Sequence, residues 1–366
     1  MTKIQEVCMK KLLSSMMVLF LVSSLACAGG AQEDGSGSKK DVVVVFIPKI
    51  SGNAFFEVAN EGAQKLAKHV GFTVKYDGSP DAAVANQVNI INNAVQQGAD
   101  AISISTVDAA GVDKALKAAR RAGLAVMTWD SDSNADARQL MTSQGTPDIL
   151  GKMLVDMGVA SLKERGKNPD KDVIKYCWHY SQATVTDQNS WHIAGEAYIR
   201  QKYPRWKNVA PANYYSNQDA ERAITVGEAI LSAHKDIDLI ICNDSTALPG
   251  QCQAAQNLGL NKDNVTITGF ATPNAIKGYC RTNILSRWGL WDCGIQGAIS
   301  CYLAYWAAIG HEIKVGDTIE IPTIGSVKIE PNTVLDSKAY TASDSGVVLL
   351  PERVVFTKEN MDNYNF

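Results

Sequence analysis

The sequence contains no CxxC, HExxH, GxSxG, GxxxxGK or GxGxxG, and its five histidines are scattered. It therefore lacks the usual marks of a zinc protease, a nucleophile elbow, a P-loop and a dinucleotide fold. Formal net charge is only −3 and no basic stretch stands out, which argues against nucleic acid as a partner. Long apolar runs are nearly missing too. The one candidate, Leu12 to Ala26, is shorter than the roughly 20 residues a spanning helix needs. Asp130 and Asp132 lack the glycine and distal glutamate of a calcium loop, so no metal or other cofactor is expected. Six cysteines follow the first thirty residues: Cys177, Cys242, Cys252, Cys280, Cys293 and Cys301. An exported chain permits disulfides, yet the spacing is not that of a stapled scaffold. Cys177 and Cys242 close apolar runs, where a free cysteine acts as a small hydrophobe. Mostly reduced thiols are expected, and no pairing is legible from sequence.

What is present begins with an export signal. Met9 is followed by two lysines, the short apolar stretch and then small residues, the three regions of a signal peptide. Cys27 follows Ser24-Leu25-Ala26 and resembles the lipidated cysteine of a lipobox, although a serine stands where leucine is usual. Ala26-Cys27-Ala28 would equally suit ordinary signal peptidase. The reading adopted is a signal peptide over residues 1–27, a lipid anchor on Cys27 and a flexible tether over 28–41. The Gly/Ser/charge composition of "GGAQEDGSGSKKD" is that of a linker. The protein is expected outside the cytoplasm, in the periplasm or on the outer face of the cell membrane.

From Asp41 onward, short apolar runs alternate with helical spacing. Strands are expected at Val42–Ile47, Phe72–Tyr76, Ala101–Ser105 and Leu124–Thr128, with helices at Ala54–His69, Asp81–Gln97 and Ala110–Ala122. The pattern restarts with a helix capped by Thr146 and opened by Pro147. Strands follow at Val173–Cys177, Val209–Tyr214, Leu239–Cys242 and Val265–Phe270, the second weakened by Pro211. Such alternation means βαβ units and parallel sheets covered on both faces. The expected fold is α/β: two Rossmann-like lobes joined by a multi-crossover hinge, with a ligand cleft between them. One lobe takes residues 42–144 plus 292–317 and the other 145–291 plus 318–366.

Ligands of open parallel sheets bind beyond the carboxyl ends of the strands. Those positions hold Lys49, Asn53, Phe55 and Phe56; then Trp129, Asp130 and Asp132; then Gln182, Thr186, Asp187 and Gln188; then Asn243, Asp244 and Ser245; then Thr272; and finally Trp288, Trp291 and Asp292. Carboxylates accept from vicinal hydroxyls, amides and lysine donate to oxygens, and rings cover the C–H faces of a polyol. Plainer readings stand beside these. Asp187 and Asp244 could be helix caps, Asp130 a turn residue, Lys49 a solvated loop lysine, and Phe55 or Phe56 core.

The segments "IPK", "TWDSD", "QGTPDILGKMLVDM", "TVTDQN", "GFATPN", "GLWD" and "VLLPERVVFTKENMDNYNF" together resemble the autoinducer-2-binding receptors of the Lsr type. These are substrate-binding proteins of ABC importers within the sugar-binding periplasmic class of type I fold. The resemblance covers about Val42 to Phe366. It implies polar ligand contacts at Lys49, Asp130, Asp187 and Gln188, with Phe55, Phe56 and Trp291 as nearby rings. Its remaining contacts fall at Asn243 and Ser245, where the family commonly has Pro-Asp-Ala in place of Asn243-Asp244-Ser245. It also implies a small furanose-like ligand (the cyclic, hydrated, boron-free form of autoinducer-2), closure of a hinge, docking on a transporter permease, and a monomer. A pentose, rhamnose or another polyol is the alternative ligand. An enzyme forming a Schiff base on Lys49, as aldolases do, is the rival class; no acid–base pair supports it.

Overall fold

In the computed structural model, which describes residues 41–366 apart from Pro211, the chain opens with β1 (Val43–Ile47), α1 (Ala54–Val70) and β2 (Thr73–Tyr76). Next come α2 (Val84–Gln96), β3 (Ala101–Ile104), α3 (Ala109–Arg121), β4 (Ala125–Trp129) and β5 (Leu140–Ser143). The boundaries of α1 follow from its ends. Asn53 Oδ1 accepts from Phe55 N at 3.0 Å, and Gly71 ends the helix at φ +95°, a conformation that favours glycine. The expected signal peptide, tether and Cys27 lie outside the described residues.

The second series is α4 (Pro147–Glu164), β6 (Lys175–Tyr180), α5 (Thr186–Lys202), β7 (Lys207–Asn208), β8 (Tyr214–Tyr215), α6 (Ala220–Ala233), β9 (Leu239–Cys242), α7 (Ala247–Asn257), β10 (Thr266–Gly269), α8 (Pro273–Arg281) and β11 (Arg287–Leu290). After it come α9 (Cys293–Ala308), the hairpin β12 (Thr318–Ile321) and β13 (Gly325–Lys328), then β14 (Glu330–Pro331), β15 (Gly346–Leu349) and β16 (Val354–Thr357).

Two sheets result. The first runs β14-β15-β5-β4-β3-β1-β2 and the second β10-β9-β6-β7, with β8 also on β6. Apart from the antiparallel edge pair β14–β15, every pairing in them is parallel. The parallel α/β expectation is therefore borne out. A bridge from Phe270 to Gly289 continues the second sheet toward β11, which pairs antiparallel with β16. Helix α9 returns to the first sheet and lies against α1. A Cβ on Gly62 would sit 2.1 Å from Gly294 O, so the two helix backbones touch there.

Several expected boundaries shift. The single strand at Val209–Tyr214 is instead two short pairings, β7 and β8, on either side of Pro211. The strand expected at Val173–Cys177 runs on to Tyr180, because Trp178, His179 and Tyr180 are all buried beside β9. Residues 318–366 were assigned to the second lobe, but β15 pairs with β5 in the first sheet, Val347 opposite Met141. The reason is burial: Val347 and Val348 are fully covered there, and β15 shields what would otherwise be an open edge. β16 returns to the second lobe, where it pairs with β11 in a two-stranded sheet of its own.

Candidate ligand-binding site

The strand ends of both sheets face one cleft. β1 delivers Lys49, and β4 delivers Asp130. From the second sheet come Asp187 and Gln188 in the first turn of α5, and Asn243, Asp244 and Ser245 after β9. With Phe55, Phe56, Trp191, Gln218, Phe270, Leu290 and Trp291 these residues line one cavity of about 20 Å³. That is room for a water or two, less than a ligand of sugar size occupies. Asp130, Asp187 and Trp191 also wall a neighbouring cleft of about 590 Å³. All nine residues expected at the ligand thus meet at one place.

Lys49 is the centre. Its ammonium lies 3.0 Å from Asp130 Oδ2 and 3.4 Å from Asp187 Oδ1. Asp130 comes from the first lobe and Asp187 from the second. All three are at least nine-tenths buried, which rules out a solvated loop lysine. Burial alone would lower the Lys49 pKa; the charges of Asp130 and Asp187, and the hydrogen bond to Asp130, outweigh it and hold the ammonium above the ordinary lysine value. One cation shared between two carboxylates leaves negative charge in excess. Burial accordingly pushes Asp187 up to about 6, with Lys49 pulling the other way and Asp130 adding to the rise.

Asp130 is a turn residue of an uncommon kind, at φ +57°. Aspartate tolerates that region better than most side chains, and here the strained backbone carries a site residue. Its carboxylate also accepts from Ser105 Oγ at 2.7 Å. Asp187 does not cap its helix. The N-cap is Val185, without a side-chain bond, so the carboxylate is free to face Lys49. Asp244 is not the N-cap either, which is Thr246; its Oδ1 holds the turn that leads into α7, accepting from Thr246 N and Ala247 N at 2.8 and 3.0 Å. Its other oxygen is buried with no partner, and burial raises its pKa to about 6 against those backbone bonds.

Asn243 Nδ2 donates to Gln188 O at 2.7 Å, while Asn243 Oδ1 has no partner. Gln188 Oε1 accepts from Ser181 Oγ. Ser245 Oγ donates to Asn53 Oδ1 at 3.2 Å, and Asn53 Nδ2 donates to Thr246 Oγ1 at 3.3 Å. These two bonds tie the lobes together at the edge of the site.

Rings form the rest of the wall. Phe55 lies edge-on to Trp291 at 5.8 Å and stacks toward Trp129 at 6.2 Å; Trp191, Phe270 and Trp291 meet edge to face at 5.5 to 5.8 Å. Phe56 lies behind Phe55 at 5.2 Å, both core and lining. The crossing strands are stitched to this wall. Trp291 Nε1 donates to Gln296 Oε1, and Gln296 Nε2 donates to Thr142 O and Gln144 Oε1. Gln144 Nε2 in turn donates to Asp130 O at 3.1 Å.

Other strand-end residues serve elsewhere. Asp132 pairs with buried Arg138, Asp292 caps α9, and Trp288 packs on Phe356 in the core. Sequence reasoning missed Gln218, Trp191 and Phe270. The two rings flank quoted site segments and could have been inferred. Gln218 follows β8, whose end at Tyr215 lies one residue beyond the expected strand Val209–Tyr214, and no site residue was expected after it. Among the described residues no cluster of histidine, cysteine, aspartate and glutamate could hold a metal, and no helix is long and apolar enough to cross a membrane. The six later cysteines are buried free thiols.

A cleft between two parallel α/β lobes, lined with charged, amide and aromatic groups from both, is the architecture of two-lobed solute-binding proteins. A family model described as a periplasmic binding protein domain matches residues 44–312, and the chain belongs to that family. It is similar to LsrB from Clostridium saccharobutylicum, solved in complex with AI-2: 67% identity, covering 89% of this chain and 100% of that one, TM-score 0.88. The ribose import binding protein RbsB of Bacillus subtilis is 23% identical over 273 residues, covering 72% of this chain and 81% of that protein. A Clostridium phytofermentans ABC transporter solute binding protein with bound L-rhamnose shares the fold, with TM-score 0.78 at 22% identity over 88% of this chain and 98% of that one.

Proposed function

We propose that this protein captures autoinducer-2 outside the cytoplasm and delivers it to an ABC importer. The observation that carries the reading is Lys49 between Asp130 and Asp187, one carboxylate from each lobe. A small polyol placed there would accept from the ammonium and donate to both carboxylates, so it would favour the arrangement in which the lobes meet. The likeness to LsrB solved with AI-2 supports the choice of ligand. Lys49, Asp130, Asp187, Gln188, Asn243 and Ser245 are the polar contacts in this reading, and Phe55, Phe56 and Trp291 the apolar ones. Cys27 carries a lipid anchor, residues 28–41 are its tether, and the protein acts as a monomer. No reaction is assigned to the site. A lysine held as ammonium is a poor nucleophile, which weighs against a Schiff-base enzyme.

The test is mass spectrometry of the small molecule released on gentle unfolding of protein made in cells that produce autoinducer-2, with cells unable to make it as control. A polyol of the expected mass, absent from the control, is the expected result. A second reading, a pentose or deoxyhexose carrier, is favoured by the ribose-binding relative and the rhamnose-bound neighbour. A sugar released from both preparations would replace the first reading with this one.

A further inference from the structure

The second-lobe wall holds three buried polar atoms that make no hydrogen bond: Gln218 Nε2, Asn243 Oδ1 and Asp244 Oδ2. All three residues line the cavity around Lys49. Gln218 differs from the other two, since nothing in its sequence context singles it out. The backbone fixes where it stands. Ser216 N donates to Tyr180 O at 2.9 Å and Asn217 N to Ser181 O at 2.7 Å, pinning the segment to the end of β6. Asp219 then caps α6, its Oδ1 accepting from Arg222 N. Between these anchors the chain turns through two consecutive left-handed residues, Asn217 at φ +56° and Gln218 at φ +62°. Side chains other than glycine rarely adopt that region, and asparagine is the best suited of them. The turn places a long carboxamide, only 6% exposed, on the cavity wall.

We infer that Gln218 is a specificity-determining residue whose carboxamide N–H donates to a ligand hydroxyl, the hydroxyl's own hydrogen going to one of the two second-lobe acceptors, Asn243 Oδ1 or Asp244 Oδ2. The inference rests on the reading of the cleft as a small-polyol site. One donor set among two acceptors selects a group that both accepts and donates. A hydroxyl does both; an ether or carbonyl oxygen in its place has no hydrogen to give to either acceptor. A buried site of this kind discriminates strongly against a ligand that lacks the group.

The test uses Gln218→Glu, which keeps shape and size but replaces the donor by a carboxylate on the cavity wall that also holds Asp244. Gln218→Asn keeps an amide in a residue that tolerates the left-handed turn but shortens its reach. Titration calorimetry with autoinducer-2 at pH 7.5 should show affinity at least about tenfold weaker for Gln218→Glu. Lowering the pH toward 5 should narrow the gap to wild type, because the introduced carboxyl regains a proton to donate. A merely structural role would not produce that recovery. Gln218→Asn should also bind more weakly, without recovery at low pH. Wild-type affinity in both variants overturns the inference while leaving the autoinducer-2 reading intact. If wild type ignores autoinducer-2 but binds D-ribose, and Gln218→Glu loses that binding with the same pH recovery, the ligand assignment fails and the role of Gln218 stands.

Discussion

On the first-lobe wall Asp130 is satisfied from within: it takes Lys49 at 3.0 Å and Ser105 Oγ at 2.7 Å. Across the cleft Gln218, Asn243 and Asp244 each keep a buried atom without a partner. An unpaired buried polar atom costs about 1–3 kcal/mol, so the second wall gains most from a ligand. The comparison separates two jobs. The first lobe supplies a pre-paired charge that reaches across to Asp187, and the second holds the unmatched donors and acceptors that, in the proposed function, would choose what fits. The Asn243 and Ser245 departures from the commoner Pro and Ala lie on the choosing side.

The most damaging change to this division is removal of the shared cation. Lys49→Met leaves Asp130 and Asp187 buried without a counter-charge, a loss of about 3–5 kcal/mol. Calorimetry should find no measurable binding of autoinducer-2. Asp130→Ala and Asp187→Ala each remove one acceptor but leave Lys49 paired with the other, so about 1.5–3 kcal/mol of binding should go. Unchanged affinity in titration would remove the residue concerned from the site.

Acidity offers a subtler way to test the charged side. Asp187 titrates near 6 in the folded protein, against about 3.9 when unfolded. The folded form holds this proton more tightly, so its contribution to stability is complete below about pH 4 and is lost as pH rises through about 6. Binding moves the opposite way, since the ionised form accepts from a hydroxyl. Between pH 7.5 and 5 affinity should fall about tenfold on this account, and Asp187→Asn should flatten that part of the profile. A wild-type profile flat across this range would mean that Asp187 does not accept from the ligand.

The smallest effect is expected where the lobes merely touch. Ser245→Ala removes one neutral bond to Asn53, worth about 0.5–1.5 kcal/mol. Stopped-flow tryptophan fluorescence should register it as faster ligand release with little change in association. If association slows instead, Ser245 acts on the encounter and not on the closed cleft.

The alternation of apolar runs and helical spacing made the parallel α/β lobes legible, because strands buried on both faces must be continuously apolar. That rule also pointed to the strand ends, and so to Lys49, Asp130, Asp187, Gln188 and Asn243, before any contact was visible. The two-residue pairings β7 and β8 were merged into one expected strand at Val209–Tyr214, because so few residues carry no period; β5, Leu140–Ser143, was not expected. The lobe of β15 was misjudged for a related reason: "VVLL" suits any buried strand, and only pairing with β5 decides its sheet.

By itself, then, the sequence determined the fold class and which chemical groups stand at the strand ends, since both are consequences of local pattern. Tertiary structure alone decided that Asp187 faces Lys49, that the free oxygen of Asp244 lies in the same cavity, and that Gln218 joins them. Each of these depends on where a second lobe, distant in the chain, brings its backbone, and local sequence carries no record of that distance.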